Sequence, residues 1–316
     1  MVSKPIAAAA LCAIVSSFLF TRLLLPALKK LKAGQPINEY VVEHKKKSGT
    51  PTIGGAGFLL ASLICVLIAN KADMTTIAEC CVFFFFAALG FADDFLKIRY
   101  SKNEGLTPIE KTAFQIAIAL IASLFCVRTE RTILYIPFSG GIKIDLGLWF
   151  IPFATFVFVA TANCVNLTDG LDGLATSSAI PAFFFVGVLC ALRNCEKESL
   201  FAIVSAAALI GFLPFNANPA KIFMGDTGSL AIGGLLACLT VFSGNALYIP
   251  IVGICFVWSG VSVIVQVLHY KRTKKRVFLM APFHHHLQHK GMSENAISSL
   301  YFCVSSAFGL LAVLAA

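Results

Sequence analysis

Residues 199–215 read SLFAIVSAAALIGFLPF, an apolar stretch without a single charged side chain. A helix of about 20 such residues crosses the roughly 30 Å hydrocarbon core of a bilayer. Comparable runs recur along the whole chain, near 6–28, 53–69, 77–92, 112–127, 148–165, 176–192, 199–215, 229–243, 248–270 and 297–314. The pattern predicts an all-α integral membrane protein with about ten transmembrane helices, forming one polytopic domain over residues 1–316.

The composition agrees with this class of protein. Hydrophobic residues make up 58% of the chain and charged residues only 13%, whereas soluble domains carry about 45–50% and about 25%. The first run follows Lys4 but is longer than the apolar region of a signal peptide, so it is predicted to stay as the first helix. Most of the 11 cysteines lie inside apolar runs, without zinc-ligand spacing, which indicates buried thiols.

Basic residues predict the orientation of the chain. One set of loops carries 17 Lys and Arg residues, and the opposite set, together with the N-terminus, carries 7. The positive-inside rule places the richer set, which includes Lys45, Lys102 and Lys274, in the cytoplasm. Both termini are then expected outside. Basic loops facing anionic lipid headgroups account for the net charge of +9, so no nucleic-acid partner is expected.

Aspartates are the sharpest indication of a site. The chain has seven, and five follow the ends of apolar runs on the predicted cytoplasmic face, namely Asp93, Asp94, Asp169, Asp172 and Asp226. A carboxylate close to hydrocarbon is costly and usually has a metal, a cation or a substrate as partner. Each one alone also fits a helix cap in water. Five of them within three Gly- and Asn-rich motifs favour a binding site.

The first motif reads FADDFLK over residues 91–97. If the helix continues here, Lys97 lies one turn after Asp93 and Asp94, so both carboxylates can approach its ammonium group. Two adjacent like charges favour a cation between them, which a divalent metal would supply. The alternative is an ordinary salt bridge at the end of a helix.

The second motif reads NCVNLTDGLDG over residues 163–173. Its polar members recur every three positions, at Asn163, Asn166, Asp169 and Asp172, so in a helix they share one side and turn slowly away. The two glycines weaken the helix and let the backbone approach a ligand. Asn amides beside carboxylates suit a nucleobase edge, ribose hydroxyls and metal-bound water. A plain helix cap would need one such residue, not four.

The third motif reads NANPAKIFMGDTGS over residues 216–229. Asp226 and Thr227 supply oxygen donors of the kind that Mg²⁺ takes, and Asp226 is the predicted metal ligand. Gly225 permits a tight turn whose N–H groups can face phosphate. Phe223 is placed to stack on a base, and Asn216 opens the motif. The alternative is a Gly-Asp-x-Gly turn that simply precedes a helix.

The fourth motif reads MAPFHHHLQHK over residues 280–290. His285 and His289 share one helical face, so a zinc site is one interpretation. No acidic residue completes an HExxH pattern nearby. Because so many Lys and Arg residues surround the triplet His284–His286, phosphate binding or proton handling is the preferred interpretation.

Together and in this order, the four motifs resemble those of the phospho-N-acetylmuramoyl-pentapeptide transferases, a branch of the polyprenyl-phosphate sugar-1-phosphate transferases. The resemblance extends from KKKSGTPTIGG at residues 45–55 to Lys290, and APFHHH at residues 281–286 is what indicates this branch. Three positions, at two places in the chain, depart from the pattern. Ser259 stands where relatives often carry Glu, and Leu287-Gln288 where they tend to have Phe-Glu.

The resemblance implies transfer of phospho-N-acetylmuramoyl-pentapeptide from its UDP carrier to undecaprenyl phosphate, with Mg²⁺ and release of UMP, on the cytoplasmic face of the bacterial inner membrane. It implies that Asp93 acts as a base on the lipid phosphate with help from Asp94. A covalent aspartyl-phosphate stays open beside the simpler metal-assisted single displacement. The expected catalytic residues are Asp93, Asp94, Asp226 and His284. The expected substrate contacts are Lys46, Thr50, Lys97, Lys111, Asn163, Asn166, Asp169, Asp172, Asn216, Phe223, Gly225, His285 and His286.

Other functions fit the same residues less well. A sister enzyme would transfer N-acetylglucosamine-1-phosphate to the same lipid. A membrane transporter should place charges or broken helices near the bilayer midplane, whereas the polar motifs here gather at one face; a non-catalytic scaffold is the other alternative of this class. The expected partners are the UDP-sugar, undecaprenyl phosphate and the lipid bilayer; the sequence leaves the oligomeric state open, with a homodimer as one candidate.

Overall fold

The computed structural model describes residues 4–30, 49–100 and 105–316, which fold into a bundle of helices. The helices are α1 (Lys4–Lys30), α2 (Gly55–Ala69), α3 (Met74–Tyr100), α4 (Pro108–Arg128), α5 (Phe150–Thr168), α6 (Leu174–Leu192), α7 (Glu196–Asn216), α8 (Gly225–Phe242), α9 (Ile249–Val252), α10 (Ile254–Thr273), α11 (Phe283–His289) and α12 (Glu294–Leu314). Single turns of 3-10 helix, Gly147–Trp149 and Ala246–Tyr248, precede α5 and α9.

Nine of the helices in these described ranges are long and apolar enough to cross a membrane. A tenth, α2, is apolar but has 15 residues, or about 22 Å, less than a full hydrocarbon core. The prediction of an all-α integral membrane protein is therefore confirmed. Each predicted run falls on helix, although the run at 248–270 is divided into α9 and α10 at Gly253, whose ψ of 23° lies outside the helical range.

Helix α8 lies at the centre of the bundle, almost completely buried between α3 and α5. Its glycines allow this close packing. A Cβ at Gly234 would collide with the ring of Phe86 on α3, and one at Gly233 would collide with the backbone of Ala162 on α5. Because α3 and α8 are held so close together, the first turn of α8 lies against the last turns of α3.

Helices α1 and α7 run in the same direction. The Ile14 main chain lies beside Gly211, and one turn further along both helices the rings of Phe18 and Phe215 are 5.0 Å apart. Helix α7 ends at Asn216, within the third motif. The described start of the chain, Lys4, therefore lies at the end of the bundle away from that motif.

A small hairpin closes the same far end. Strands β1 (Ile133–Tyr135) and β2 (Lys143–Asp145) pair antiparallel, and the N–H of Tyr135 donates to the carbonyl oxygen of Gly244 at 2.9 Å. The N–H of Phe138 donates to Ala315 at 2.9 Å, which places the end of α12 here too. The hairpin was not predicted, because three residues per strand are too few to show an alternating pattern.

Candidate active site

Three carboxylates meet where α3 ends and α8 begins. Asp93 and Asp94 lie one and two residues past the predicted apolar run on α3, which continues as helix to Tyr100. Asp226 lies in the first turn of α8. One oxygen from each of the three lies within 4.8 Å of the others. Asp93 and Asp94 are 0% and 1% exposed, so the cluster is enclosed by protein except at Asp226.

Two lysines neutralise part of this charge. The Lys97 Nζ lies 2.6 Å from Asp93 Oδ2 and 3.3 Å from Asp226 Oδ2. The Lys111 Nζ, from α4, lies 3.1 Å and 2.6 Å from the same two oxygens. The two ammonium groups therefore bridge Asp93 and Asp226 rather than pairing with one carboxylate each. The prediction that both carboxylates approach Lys97 is confirmed for Asp93, whereas the oxygens of Asp94 bind donors at the start of α8 instead.

Backbone N–H groups bind the second oxygen of Asp93 and both oxygens of Asp94. The N–H of Leu106, in the segment before α4, donates to Asp93 Oδ1 at 2.8 Å. Asp94 faces the other way, toward α8, where the N–H groups of Asp226 and Thr227 donate to it at 3.1 and 2.9 Å. The hydroxyl of Thr227 donates to it as well, at 2.7 Å. The two adjacent aspartates thus have different neighbours.

Glycines let the backbones meet closely at this point. Gly225 has φ of +74°, a conformation that favours glycine, and a Cβ there would meet Asp94 Oδ2 and the Thr52 hydroxyl. A Cβ at Gly90 would collide with the Asp226 main chain. Gly225 therefore acts through its shape in this structure, because it has no side chain to fill the space around the carboxylates.

The donor set fits a hard divalent cation. Carboxylate oxygens are what Mg²⁺ prefers, and among the described residues Asp93, Asp94 and Asp226 are the one group of three His, Cys, Asp or Glu side chains close enough to share an ion. The two lysines on Asp93 and Asp226 occupy the positions where additional positive charge is favourable. Asp226 is the most accessible of the three carboxylates, which suits the predicted metal ligand.

A short segment before α2 forms part of the wall. The N–H of Phe223 donates to the Pro51 carbonyl oxygen at 2.8 Å, and the N–H of Gly54 donates to the Phe223 carbonyl oxygen at 2.9 Å. Thr50, just before Pro51, and the Phe223 side chain are both half-buried. Their contact with substrate stays a prediction. Lys46, the other predicted residue of this segment, lies outside the described residues.

Asn163 is held by a residue that the sequence analysis missed. Its Nδ2 donates to Gln115 Oε1 at 2.7 Å, and the Gln115 amide is directed back at Asn163 Oδ1 at 3.5 Å. Gln115 is fully buried on α4, one turn after Lys111. The signal in the sequence was a lone amide four residues after a lysine, inside an apolar run. Helix α4 thus contributes two groups to the site.

Asn166 and Asp169 line the end of α5 and are partly accessible. Asp169 is the first residue beyond the helix. Its partial burial, followed by the negative charges of Asp226, Asp94 and Asp172, raises the pKa of the Asp169 carboxyl well above its usual range. A partly buried carboxyl group near three others favours binding of a cation or of a hydrogen-bond acceptor. Its role as a substrate contact stays a prediction.

Asp172 and Asn216 have structural contacts. Asp172 Oδ2 accepts from the Asn218 amide and from the Ala220 N–H, both at 3.0 Å. Asn216 accepts from the Thr176 hydroxyl at 2.6 Å and donates to a carbonyl oxygen of its own loop at 3.1 Å. Both side chains are nearly fully buried. They shape the loop before α8, and the prediction that they also contact substrate stays untested by these contacts.

The His triplet forms α11, and its members differ. His284 is fully buried, and within the described residues neither ring nitrogen has a hydrogen-bond partner. Burial, and then the neighbouring His285, lower the pKa of His284 to about 3. His285 pairs with Gln288 at 3.1 Å, while His286 Nδ1 accepts from the Leu279 N–H at 3.1 Å. The triplet is thus packed into the protein rather than displayed on a loop.

The zinc interpretation gains no support from this packing. His289 Nε2 contacts the sulfur of Met280 at 3.3 Å, while His285 pairs with Gln288. The triplet instead lies against the second motif, because a Cβ at Gly170 would meet ring nitrogens of both His284 and His285. Gly170 follows Asp169, so His284 and His285 lie beside the turn that carries the Asp169 carboxyl group.

Ser259 and Gln288, which depart from the family pattern, make hydrogen bonds within their own helices. The Ser259 hydroxyl donates to the Cys255 carbonyl oxygen at 3.0 Å, within its own helix. Gln288 is the partner of His285 described above. The nearby Ser262 hydroxyl accepts from the Phe283 N–H at 3.0 Å, which fastens the start of α11 to α10. Gln288 therefore lies at the His triplet, and Ser259 lies on the helix whose Ser262 binds the start of α11.

Known proteins are similar in sequence to this chain over most of its length. Residues 75–244 match the family described as Glycosyl transferase family 4. The Phospho-N-acetylmuramoyl-pentapeptide-transferase of Clostridium perfringens (strain SM101 / Type A) is 42% identical over 307 residues, covering 95% of this chain and 94% of the relative. The protein of the same name from Staphylococcus aureus (strain bovine RF122 / ET3-1) is 39% identical over 311 residues, 96% of each chain. The chain belongs to the phospho-N-acetylmuramoyl-pentapeptide transferase family.

Membership of the phospho-N-acetylmuramoyl-pentapeptide transferase family confirms the resemblance stated from the four motifs. The Glycosyl transferase family 4 match ends at residue 244, so it includes the carboxylate cluster and Asn163 but not His284–His286. The similarity to the named transferases covers nearly the whole chain. It therefore extends beyond the part common to the broader family and agrees with the branch that the His motif indicated.

Proposed function

We propose that the chain transfers phospho-N-acetylmuramoyl-pentapeptide from UDP-N-acetylmuramoyl-pentapeptide to undecaprenyl phosphate, releasing UMP and forming the first lipid intermediate of peptidoglycan synthesis. The observation that carries the proposal is the near full-length similarity to transferases of that name. The enclosed cluster of Asp93, Asp94 and Asp226 with two lysines supports it. Such a site suits the meeting of two polyanionic phosphates.

In the reaction, an oxygen of the lipid phosphate attacks the β-phosphorus of the nucleotide, and the bond from that phosphorus to the bridging oxygen breaks. The bridging oxygen leaves on UMP. Lys97 and Lys111 lower the electrostatic cost of bringing the two phosphates together. Asp93 lies between both lysines and is the proposed base for the lipid phosphate. Because a phosphate monoester with a second pKa near ~6 is mostly dianionic at neutral pH, neutralising charge matters more than removing a proton.

Asp226, with Asp93 beside it, is the proposed holder of Mg²⁺. When bound, Mg²⁺ would supply Lewis-acid neutralisation of phosphate oxygens and alignment of the two substrates. The lysines would then be free to turn their ammonium groups toward phosphate. The half-buried Phe223 and Asn163, the latter held by the buried Gln115, are the proposed contacts for the uridine and ribose.

We further propose that the carboxylate end of the bundle faces the cytoplasm and the hairpin end faces the periplasm of a bacterial inner membrane. The basic asymmetry of 17 against 7 residues supports this orientation. Lys4 and the end of α12 lie together at the hairpin end, as required for two external termini.

A UMP-release assay with purified protein in undecaprenyl phosphate micelles tests the proposal. UDP-N-acetylmuramoyl-pentapeptide and UDP-N-acetylglucosamine are supplied separately, with and without a chelator of divalent cations. We expect release only from the first nucleotide and only with the divalent cation present. Release from UDP-N-acetylglucosamine alone would assign the chain to the sister reaction, and release from neither nucleotide would contradict a transferase function.

A further inference from the structure

Helix α8 starts without a capping side chain of its own. The first N–H groups of any helix have no partner within it and need an acceptor, usually the side chain of the N-cap residue. That residue in α8 is Met224, which makes no side-chain capping bond. The N–H groups of the second and third helical residues, Asp226 and Thr227, donate instead to Asp94 on α3. Asp94 thus caps α8 from a neighbouring helix.

The contacts separate Asp94 from its two companions in the carboxylate cluster. Asp93 and Asp226 share Lys97 and Lys111. Asp94 has one oxygen on the Asp226 N–H and the other on both the N–H and the hydroxyl of Thr227. Asp94 is 1% exposed and Thr227 is 3% exposed. With three donors on its two oxygens, Asp94 is directed at the helix and away from the lysines.

We infer that Asp94 is a positioning residue which, together with Thr227, sets the first turn of α8 and thereby the location of the Asp226 carboxylate. The inference rests on the proposed function, because it concerns the phosphate-transfer site. Asp94 acts on the Asp226 backbone directly, because the N–H group that it binds belongs to the residue predicted to hold the metal. The sequence predicted Thr227 as an oxygen donor for a cation such as Mg²⁺ but did not predict its hydrogen bond to Asp94.

Close packing of α3 against α8 lets Asp94 control the position of the first turn of α8. Glycines at 90 and 225 allow α3 and α8 to approach until backbone and carboxylate touch, because any Cβ there would collide. A carboxylate at a helix N-terminus is further stabilised by the helix dipole. Displacing a reacting group by about 1 Å can lower a rate about 100-fold. A loosened first turn of α8 would move Asp226 relative to Asp93 without removing either carboxylate.

A double-mutant cycle tests the inference, using Asp94→Asn and Thr227→Val. Each change removes part of the same hydrogen-bonded unit, so each should lower kcat about 10- to 100-fold, with KM for the nucleotide within about twofold. The double variant should be no worse than the poorer single one, because the two residues act as one unit. Thr227→Ser keeps the hydroxyl and should stay within about threefold of the wild type.

The matched control is Thr240→Val on the same helix. The Thr240 hydroxyl bonds only to carbonyl oxygens of its own helix, at 2.8 and 2.9 Å, far from the carboxylates. Its replacement should leave kcat unchanged. A general loss of stability is recognised by melting temperature, so a variant that melts early while its folded fraction keeps the wild-type kcat would contradict a positioning role.

Binding of Mn²⁺, followed by electron paramagnetic resonance without substrate, supplies a readout that is independent of turnover. We expect Asp94→Asn and Thr227→Val to weaken Mn²⁺ binding to a similar extent, and Thr240→Val to leave it unchanged. Multiplicative losses in the cycle, or a Thr227→Val variant within twofold of the wild type in kcat and Mn²⁺ affinity, would overturn the inference. If Asp94→Asn does not fold, the Thr227 variants alone decide.

Failure of the inference is separable from failure of the proposed function. Turnover is measured with whichever UDP-sugar the wild-type protein uses, so the cycle can succeed even if that sugar is N-acetylglucosamine. Conversely, wild-type release of UMP from the muramoyl-pentapeptide nucleotide, combined with an unaffected Thr227→Val variant, would support the function and reject the positioning role of Asp94.

Discussion

At the scale of single residues, Asp226 is the most exposed of the three carboxylates in the cluster. It shares Lys97 and Lys111 with Asp93. We expect Asp226→Ala to lower kcat at least about 100- to 1,000-fold, because it removes charge stabilisation at the reacting phosphates, and to abolish tight Mn²⁺ binding. Asp145→Ala is the matched control: Asp145 lies on the hairpin, where it accepts from the Thr132 hydroxyl at 2.6 Å. Equal activity of both variants would remove Asp226 from the site.

The burial of His284 predicts how the stability of the folded protein depends on pH. Its pKa is lowered to about 3 in the folded protein, against about 6.5 for an unfolded histidine, so protonation favours the unfolded state. The stability that neutral His284 supports is complete above pH 6.5 and falls as the pH drops toward 3. The loss by pH 4.5 should be about 2–3 kcal/mol.

The measurement is the melting temperature of detergent-solubilised protein between pH 7.5 and 4.5. His284→Phe, which keeps a buried ring but cannot titrate, should show a smaller decrease than the wild type over this range. His269→Phe, on the exposed part of α10, is the control and should keep the wild-type slope. Identical slopes for all three proteins would show that His284 does not titrate as described.

At the scale of elements, the α3–α8 contact decides the geometry of the site. A Cβ at Gly90 would collide with the Asp226 main chain, and because backbone cannot give way as a flexible side chain can, the helices would have to separate. We expect Gly90→Ala to cost at least about 1–3 kcal/mol of stability and to lower UMP release further than the loss of folded protein explains. Ala92→Leu, at an exposed position of the same helix, should be tolerated. A fully active Gly90→Ala protein would contradict the packing.

The elements also explain which parts of the site the sequence could predict. Asp93 and Lys97 are four residues apart on one helix, so helical spacing alone predicted their contact. Gln115 could not be found in this way, because its partner Asn163 is on a different helix. The role of Asp94 as a cap also depends on which helix is its neighbour.

At the scale of the whole molecule, the orientation of the bundle can be tested directly. In a variant lacking the natural cysteines, Lys274→Cys and Lys143→Cys place single thiols at the carboxylate end and at the hairpin. We expect an impermeant maleimide added to intact spheroplasts to label Lys143→Cys but not Lys274→Cys, until the membrane is opened, because the basic loops stay inside. The opposite labelling pattern would place the proposed site outside the cell.

By itself, the sequence determined the class of fold, the number of apolar runs and the motifs that carry charge. These properties are local: hydrophobic length sets a membrane span, and a carboxylate beside hydrocarbon is costly wherever it occurs. The tertiary structure decided what each charged or polar group contacts. Asp93 and Asp94 are adjacent and chemically identical, yet one binds the lysines and the other caps α8. No local rule separates them, because the difference comes from the neighbouring helix, and the packing of glycines at 90 and 225 brings that helix within hydrogen-bond distance.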